Sequence, residues 1–254
     1  MPAISAVIIS FNEEKYIGKC LASLQGIADE IVVVDSFSTD RTEEICRSFN
    51  VKFSTHGFEG YVEQKNYALS LSSNRWILSL DADESLSGEM RESILSEKDS
   101  LNYDGYMFNR LNNYCGRWIR HSRWYPDRHL RLFDATKGKW TGPNPHDTFR
   151  LEPGCRTKRL KGDILHVIYD SVEEHVDKVN RFSTISAGEY YRAGKNAGPL
   201  TPHLHMAWSF FRSYILYAGF LDGHYGYTAC MISAMGSFLK YSKLRKLCLE
   251  AGRK

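Results

Sequence analysis

The sequence predicts an α/β fold with a mostly parallel central sheet flanked by helices, followed by a C-terminal helical region. In the first third of the chain, short apolar runs alternate with stretches of helical periodicity, which predicts a doubly wound sheet. Residues 103–167 contain short strand-like pieces separated by loops with glycine and proline, and helical patterns follow from residue 171. A chain of 254 residues, 43% of them hydrophobic, can bury one sizeable core with an appendage.

The elements of the first third each have a sequence signal. ISAVIIS (4–10) predicts a strand buried on both faces, and EEKYIGKCLASLQGI (13–27) repeats apolar residues at a helical period. The following elements are a strand, a helix capped by Ser38 or Asp40, a short strand, a helix and a strand, at EIVVVD (30–35), STDRTEEICRSF (38–49), VKFSTH (51–56), VEQKNYALSLS (62–72) and WILSLDADE (76–84). Asn12, Asp35 and Asp81 thus fall at carboxyl ends of strands, where such sheets bind ligands.

The remaining chain divides by pattern. GYMFNRLNNYCG (105–116), HLRLF (129–133) and DILHVIY (163–169) predict antiparallel strands that complete the sheet and a second half of a cleft. The helical stretch after residue 171 is interrupted at AGKNAGPLTP (193–202) by two prolines and two glycines. We therefore predict a domain over residues 1–170, with halves at 1–100 and 101–170, and a C-terminal helical region over residues 171–254.

Composition excludes several classes of function. Lys and Arg total 33 against 30 for Asp and Glu, without a run of five or six basic residues, so a nucleic-acid partner is not indicated. The six cysteines form no CxxC pair, which argues against a zinc site or a disulfide framework. The N-terminus lacks the pattern of a signal peptide, and no uncharged apolar run reaches the roughly 18 to 20 residues of a membrane span. We expect a cytoplasmic protein.

Two carboxylates, Asp81 and Asp83, end the fourth predicted strand with only an alanine between them. One interpretation is a solvated turn, and a second is a calcium loop, although Leu86 stands where that loop requires glycine. A third is a phosphatase of the haloacid dehalogenase type, in which the motif would stand on the first strand and be followed by Thr or Val. The fourth is a divalent-metal site for a diphosphate, since Mg²⁺ is commonly held by one or two carboxylates and substrate phosphates.

Neighbouring motifs favour the fourth interpretation. Four stretches of the chain resemble, in order and spacing, the successive motifs of family 2 glycosyltransferases, which have the GT-A fold with its Rossmann-like sheet. They are SAVIISFNEEKYIGKCLASL, EIVVVDSFSTDRTEEI, QKNYAL and WILSLDADE. Four later motifs resemble the branch of that family that contains lipopolysaccharide core β-glucosyltransferases, so the resemblance covers nearly the whole chain. They are RWYPDRHLRLF (123–133), WTGPNPHDTF (140–149), ILH (164–166) and GFLDGHYG (219–226).

The chain departs from the family pattern at two places. Asp35 is followed by Ser36, where the family often has paired aspartates. His146 is followed by Asp147, where the branch usually reads His-Glu. The second departure keeps a carboxylate and shortens its reach by one methylene.

The resemblance implies an inverting hexosyltransferase of class EC 2.4. It would move a sugar such as glucose from a nucleotide-diphosphate donor, bound by residues 1–100, to a hydroxyl of a lipopolysaccharide-core or other cell-envelope glycan, bound by residues 101–170. Asp81 would face the ribose, Asp83 would bind Mg²⁺ or Mn²⁺, and Asp147 would be the general base. A dication and a ribose between them would let the two acids of the DAD motif coexist. The resemblance also implies a second metal ligand, His166, and further donor-binding residues, Asn12, Glu14, Asp35, Lys65 and Arg131.

Structural interpretations of these residues remain open from the sequence. Asp35 or Asp40 could cap the following helix, and Lys65 could be an exposed helix cation. His166 could be a hydrogen-bonded core histidine. Asp147 could be a turn residue after proline, and Asp127, a second candidate for the base, could be one as well.

The C-terminal region suggests a membrane contact. Residues 203–247 are rich in aromatic and aliphatic residues and end in Lys240, Lys243, Arg245 and Lys246, a combination that suits an interfacial contact with anionic lipid. We expect a peripheral protein at the inner face of the cytoplasmic membrane. The alternative is a helical subdomain packed on the catalytic core or on a second subunit of a homo-oligomer. A binding protein that kept the pocket and lost catalysis, and a phosphatase, are the rival functions.

Overall fold

The computed structural model describes residues 2–142 and 147–252. Within this part, the chain forms two compact units. The first comprises residues 1–110 and 128–166, and the second comprises residues 111–127 and 167–254. The second unit thus contains the predicted C-terminal helical region together with a short segment from the middle of the chain.

The parallel half of the sheet in the first unit matches the predicted strands closely. Its strands are β1 (Ile4–Ser10), β2 (Glu30–Asp35), β3 (Lys52–Thr55) and β4 (Trp76–Asp81). β1 lies between β2 and β4 and pairs in parallel with both, and β3 pairs in parallel with β2. The register sets Ser10 beside Asp35 and Ile9 beside Asp81. Both acids therefore end the two strands that flank β1, at the same edge of the sheet, as the sequence predicts.

Later strands continue the sheet. They are β5 (Glu84–Leu86), β6 (Gly105–Tyr114), β7 (Arg117–Ile119), β8 (Asp127–Asp134), β9 (Gly138–Thr141), β10 (Thr148–Leu151) and β11 (Thr157–Tyr169). Among the described residues the strand order is β3-β2-β1-β4-β8-β6-β11-β5, while β7 pairs with β6, and β9 and β10 form a separate pair. β8 is antiparallel to β4, and β11 is antiparallel to β5. The sheet is therefore mixed, with its parallel half at the N-terminal end of the chain.

Helices cover both faces of the parallel half. They are α1 (Ile17–Leu24), α2 (Thr42–Arg47), α3 (Tyr61–Ser70) and α4 (Gly88–Lys98). Side chains of β1 alternate between two cores. Ala6 and Ile8 pack in the core that contains Leu21 of α1, and Val7 packs in the core that contains Ala68 of α3. This burial on both faces explains why the strand is a continuous apolar run.

The second unit is mostly helical after residue 171. Its helices are α5 (Val172–Arg192), α6 (Thr201–Phe210) and α7 (Gly223–Glu250), with a π-helical turn at Phe211–Leu216 and a 3₁₀ turn at Gly219–Asp222. Ser171 caps α5, since its hydroxyl accepts a hydrogen bond from the Glu174 amide at 3.1 Å. In the described part of the chain, none of the helices is both long enough and apolar enough to cross a bilayer.

A glycine fixes the close approach of β11 to α4. Gly162 has φ of +87°, and a Cβ atom there would overlap the backbone of Met90. Gly154 has a similar φ of +90° with nothing within 4 Å of the Cβ position. Comparing substitutions at Gly162 and Gly154 therefore separates the cost of backbone strain from the cost of steric overlap.

We expect Gly162→Ala to lower the free energy of unfolding by about 3 kcal/mol, since it combines positive-φ strain with overlap against backbone atoms. The control, Gly154→Ala, carries the strain alone and should cost roughly 1–2 kcal/mol. Urea unfolding of the two variants measures the difference. Equal losses of unfolding free energy in the two variants would show that the close packing of β11 on α4 adds nothing to the cost.

Candidate active site

Two loops at the carboxyl edge of the parallel strands are joined by hydrogen bonds. Asn12, after β1, donates its backbone amide to Ser38 Oγ at 2.7 Å and accepts from the Thr39 amide at 2.8 Å through Oδ1. Glu14 Oε2 accepts from the Arg41 amide at 3.0 Å. The side chains of Asn12 and Glu14 therefore hold the loop that follows β2.

Asp35 and Asp40 organise the same loop. The carboxylate of Asp35 is buried and accepts from Ser10 Oγ at 2.9 Å and from the Ser38 amide at 2.7 Å. Asp40 Oδ1 accepts from the Thr42 amide at 3.0 Å, at the first residue of α2. Asp35 is thus bonded within the protein on both oxygens. Asp40 bonds to the first residue of α2, but the N-cap residue of that helix is Arg41, so the predicted cap at Ser38 or Asp40 is wrong.

Lys65 joins two acids that lie far apart in the sequence. Its ammonium Nζ lies 3.0 Å from Asp81 Oδ1 and 2.9 Å from Asp147 Oδ2. The same atom lies 4.6 Å from the centroid of the Trp140 ring. The Lys65 side chain is only 6% exposed, so it is a buried cation and not the exposed helix residue that the sequence left open.

Arg131 provides a second buried cation beside Asp81. Its Nη2 atom lies 3.3 Å from Asp81 Oδ2 and 2.8 Å from Glu84 Oε1. Glu84 is fully buried, accepts from the Asp81 amide at 3.0 Å through Oε2 and lies 3.4 Å from Arg110 Nη1. Nε and Nη1 of Arg131 are buried without a hydrogen-bond partner among residues 2–142 and 147–252. Two guanidinium nitrogens thus retain hydrogen-bonding capacity in the described part of the site.

This charge network shifts the pKa of its members. Burial alone would raise the pKa of Asp81, but the positive charges of Lys65 and Arg131 outweigh it and hold the pKa well below its usual value. Burial would lower the pKa of Arg131, but Glu84 and Asp81 raise it. Asp81 is therefore an ionised carboxylate at neutral pH.

Cys20 lies next to this network and is not a nucleophile. Burial, with Glu84 and Asp83 adding to it, raises the pKa of the thiol well above its usual value. A protonated, buried thiol is inert.

Asp83 turns away from the Lys65 network and meets a histidine. Its Oδ2 atom lies 3.2 Å from His166 Nε2. The contact follows from the sheet, because β11 pairs with β5 so that His166 lies opposite Glu84, the residue after Asp83. The tight turn after β4 therefore sends the two acids of the DAD motif to different partners.

Asp83 and His166 are an oxygen and a nitrogen donor that fit a divalent metal. In the described residues there is no group of three or more His, Cys, Asp or Glu that could hold a metal by itself. Mg²⁺ is often bound through only one or two carboxylates, with substrate phosphates completing the shell. The pair therefore fits a metal that arrives with a diphosphate.

The structure sorts the sequence-predicted residues into three groups. Lys65, Asp81, Arg131 and Asp147 form one ionic network, and Asp83 with His166 forms a neighbouring pair. The third group, in the loops after β1 and β2, consists of Asn12, Glu14 and Asp35. His146, which precedes Asp147, lies outside the described residues.

Sequence reasoning missed Glu84 and Arg110. Glu84 accepts hydrogen bonds from the Asp81 amide and the Arg131 guanidinium, and Arg110 flanks it. The available signal for Glu84 was its position as a third acid directly after DAD, at the start of a strand whose inward face is otherwise apolar. Arg110 lies within the predicted strand at 105–116 and had no signal of its own.

Comparison with known proteins gives consistent results. The family described as Glycosyl transferase family 2 matches residues 5–152. An uncharacterised glycosyltransferase of Rickettsia typhi is 30% identical over 99% of this chain and 89% of its own length. The lipopolysaccharide core biosynthesis glycosyltransferase LpsC of Rhizobium meliloti is 30% identical over 95% of this chain and 91% of its own length.

One solved structure can be superposed on nearly the whole of this chain, at low sequence identity. The crystal structure of S. aureus TarS 1–349 in complex with UDP-GlcNAc is 16% identical, with a TM-score of 0.48 over 99% of this chain and 92% of that one.

The Lys65 contacts predict a pH-dependent loss of stability. Asp81 has a lowered pKa, so the stability it contributes is present above its unfolded pKa of about 3.9 and is lost as the pH falls through the folded pKa. Lys65→Gln removes the largest of the positive charges that lower the pKa of Asp81, so this pKa would rise. We expect the variant to lose about 3 kcal/mol at neutral pH, with the deficit narrowing as the pH falls towards about 3.

Denaturant unfolding of Lys65→Gln and wild type over that pH range measures the deficit. The control is Lys161→Gln, at an exposed lysine of β11, which should stay within about 0.5 kcal/mol of wild type throughout. A deficit independent of pH would contradict the ionic assignment.

Proposed function

The chain belongs to glycosyl transferase family 2, and we propose that it moves a hexose from a nucleoside diphosphate sugar to a hydroxyl of a cell-envelope glycan with inversion at the anomeric carbon. The observation that carries this proposal is the network in which Lys65 contacts both Asp81 and Asp147 at the carboxyl edge of the parallel strands. That edge is where open α/β sheets bind their ligands.

On the donor side, two buried cations would offset the negative charge of the diphosphate leaving group. Lys65 and Arg131 supply positive charge. Nε and Nη1 of Arg131, which have no hydrogen-bond partner in the described part of the chain, would donate to phosphate oxygens. The ionised Asp81 can accept hydrogen bonds from ribose hydroxyls. Asn12, Glu14 and Asp35 shape the adjoining loops and would contact the base or the ribose.

Asp83 and His166 would hold a Mg²⁺ or Mn²⁺ ion. When bound, the metal would neutralise negative charge on the diphosphate as it leaves. The pair needs further ligands, and the phosphate oxygens of the donor can supply them. We therefore propose that metal and nucleotide bind together.

Asp147 would act as the general base. In a single displacement, the bond from the anomeric carbon to the diphosphate breaks as the acceptor oxygen bonds to that carbon, and the hydroxyl proton passes to the base. The contact with Lys65 uses Oδ2 of Asp147, so Oδ1 can receive that proton. A diphosphate that attracts Lys65 would loosen this contact and make Asp147 more available.

The named relative supports the acceptor that we propose. LpsC of Rhizobium meliloti is a lipopolysaccharide core enzyme, and we propose a lipopolysaccharide-core or related glycolipid acceptor at the inner face of the cytoplasmic membrane. A protein that binds sugar nucleotides without catalysis is the second candidate, because the donor-side contacts alone would also serve binding. Transfer activity that depends on Asp147 separates the two.

Asp83→Ala should lose Mn²⁺-dependent binding of UDP. The substitution removes the carboxylate of the proposed metal site and leaves the Lys65 network in place. Isothermal titration calorimetry with UDP, with and without Mn²⁺, measures the effect. Asp99→Ala, at an exposed acid after α4, is the control and should bind as wild type does. Full Mn²⁺-dependent binding by Asp83→Ala would contradict the metal assignment.

Asp147→Asn should bind UDP and Mn²⁺ and transfer sugar at least about a hundredfold more slowly, because a positioned base typically contributes about 10² to 10⁴ in rate. The measurement is kcat with a radiolabelled UDP-sugar and a core glycolipid acceptor. Asp127→Asn is the comparison, since Asp127 is the other candidate. Near wild-type transfer by Asp147→Asn, with Asp127→Asn inactive, would move the base to Asp127.

A further inference from the structure

The second unit exposes a long apolar surface. Its members lie on α6, at the residue before it and in the segment that follows it up to residue 221, and each is at least 45% exposed. They are Leu200, Leu204, Trp208, Phe211, Ile215, Leu216, Tyr217, Phe220 and Leu221. The first five recur every three to four residues, which places them along one side of a helix. We call these nine residues the α6 surface.

The α6 surface is not the side of α6 that packs within the unit. α6 contacts α7 through His205, whose ring stacks on Tyr241 at 3.9 Å, and through His203, whose ring lies 5.2 Å from Phe238. The helix therefore has one packed side and one apolar exposed side. A group of exposed apolar side chains of this kind is typical of an interaction site.

A basic segment is attached to one end of the α6 surface. The Ser122 amide donates to the Tyr217 carbonyl at 2.8 Å. Asp222 accepts from the amides of Arg120 at 3.1 Å and His121 at 2.8 Å. These bonds fix residues 120–123 against the turns that carry Tyr217 and Phe220, so the exposed side chains of Arg120 and Arg123 flank the apolar residues.

Positive charge dominates this end. Asp222 is the only acid between Lys195 and Leu249, and its side chain is 7% exposed. Arg212 Nη2 donates to the Tyr217 hydroxyl at 3.2 Å. This hydrogen bond and the charge of Arg212, with a smaller effect of Arg123, lower the pKa of Tyr217. Both arginines therefore act on an exposed residue of the α6 surface.

We propose that the α6 surface docks on an anionic lipid bilayer, with its apolar side chains in the interface and Arg120, Arg123 and Arg212 at the lipid phosphates. Apolar residues bordered by arginine are the combination that interfacial anchors use. This proposal adds a membrane-docking surface to the proposed function, and it rests on that function for the lipid-linked acceptor. The lipid contact itself does not depend on the donor chemistry.

We place the cationic part of this contact on a different segment from the one that the sequence suggests. The sequence suggests the basic residues at the end of α7, Lys240, Lys243, Arg245 and Lys246. Lys243 Nζ instead donates to the Asn180 carbonyl at 2.8 Å and to Ser183 Oγ at 2.8 Å, both on α5. Lys240 lies over the Tyr190 ring at 4.5 Å. Lys240 and Lys243 thus contact α5. Lys246 is exposed but pairs with Glu250 at 3.7 Å. Arg120 and Arg123 are exposed as well and lie next to the α6 surface.

Charge also distinguishes a bilayer from a second copy of the chain. In a twofold dimer the same patch meets itself, so a contact through the α6 surface would bring its arginines close to those of the partner. Like charges at an interface oppose association. An anionic bilayer complements both the apolar and the basic parts.

The test is flotation of the full chain with vesicles of phosphatidylcholine and phosphatidylglycerol, compared with phosphatidylcholine alone. We expect binding to the anionic vesicles that weakens with salt. Leu204→Ser with Trp208→Ser should reduce binding about tenfold or more. Arg120→Gln and Arg123→Gln should each reduce it about fivefold. Leu249→Ser and Lys246→Gln, at exposed positions of α7 outside the α6 surface, are matched controls and should bind as wild type does.

Two further measurements separate the possible failures. Circular dichroism and Mn²⁺-dependent UDP binding should be unchanged in the surface variants. Vesicle binding without UDP binding in the wild type would overturn the donor chemistry and keep the lipid contact. No vesicle binding by the folded wild type, or equal losses in the control variants, would overturn the docking proposal. A wild-type dimer that Leu204→Ser with Trp208→Ser converts to monomer would overturn it in favour of self-association.

Discussion

The site depends on one ammonium group shared by two carboxylates. Asp81 and Asp147 both lie about 3 Å from Lys65 Nζ, at 3.0 and 2.9 Å, and the lysine is almost completely buried. Like charges repel, and the ammonium group between the two carboxylates offsets that repulsion. Lys65 is therefore the group that allows Asp81, at the end of β4, and Asp147, just before β10, to lie close together.

The same constraint explains the short acidic motif at the end of β4. Asp81 keeps its charge because Lys65 and Arg131 oppose it, and Glu84 ties Arg131 in place. Asp83 is directed to His166 on β11 instead. Two acids separated by one residue thus contact two different partners, which suits the nucleotide and metal sites that we propose. The cost of burying this many charges is offset by pairing, since an unpaired charge in the same place would be far more expensive.

The sequence predicted the parallel half of the fold well, because continuous apolar runs have an unambiguous period. The predicted strands 4–10 and 30–35 match β1 (Ile4–Ser10) and β2 (Glu30–Asp35) in their bounds. β5 has only three residues, too few for a pattern, and α4 was not predicted because its polar residues mask any apolar stripe. α2 begins at Thr42, later than predicted, because residues 38–41 are bonded to the loop after β1.

The residue types of the site were readable from motifs, but their contacts were not. Lys65 and Asp147 are 82 positions apart, and spacing carries no information about such a contact. The double-mutant cycle of Lys65→Gln and Asp147→Asn on the free energy of unfolding tests the shared ammonium most directly. The account predicts a coupling free energy of at least about 1 kcal/mol between the two positions. Additivity within about 0.5 kcal/mol would contradict it.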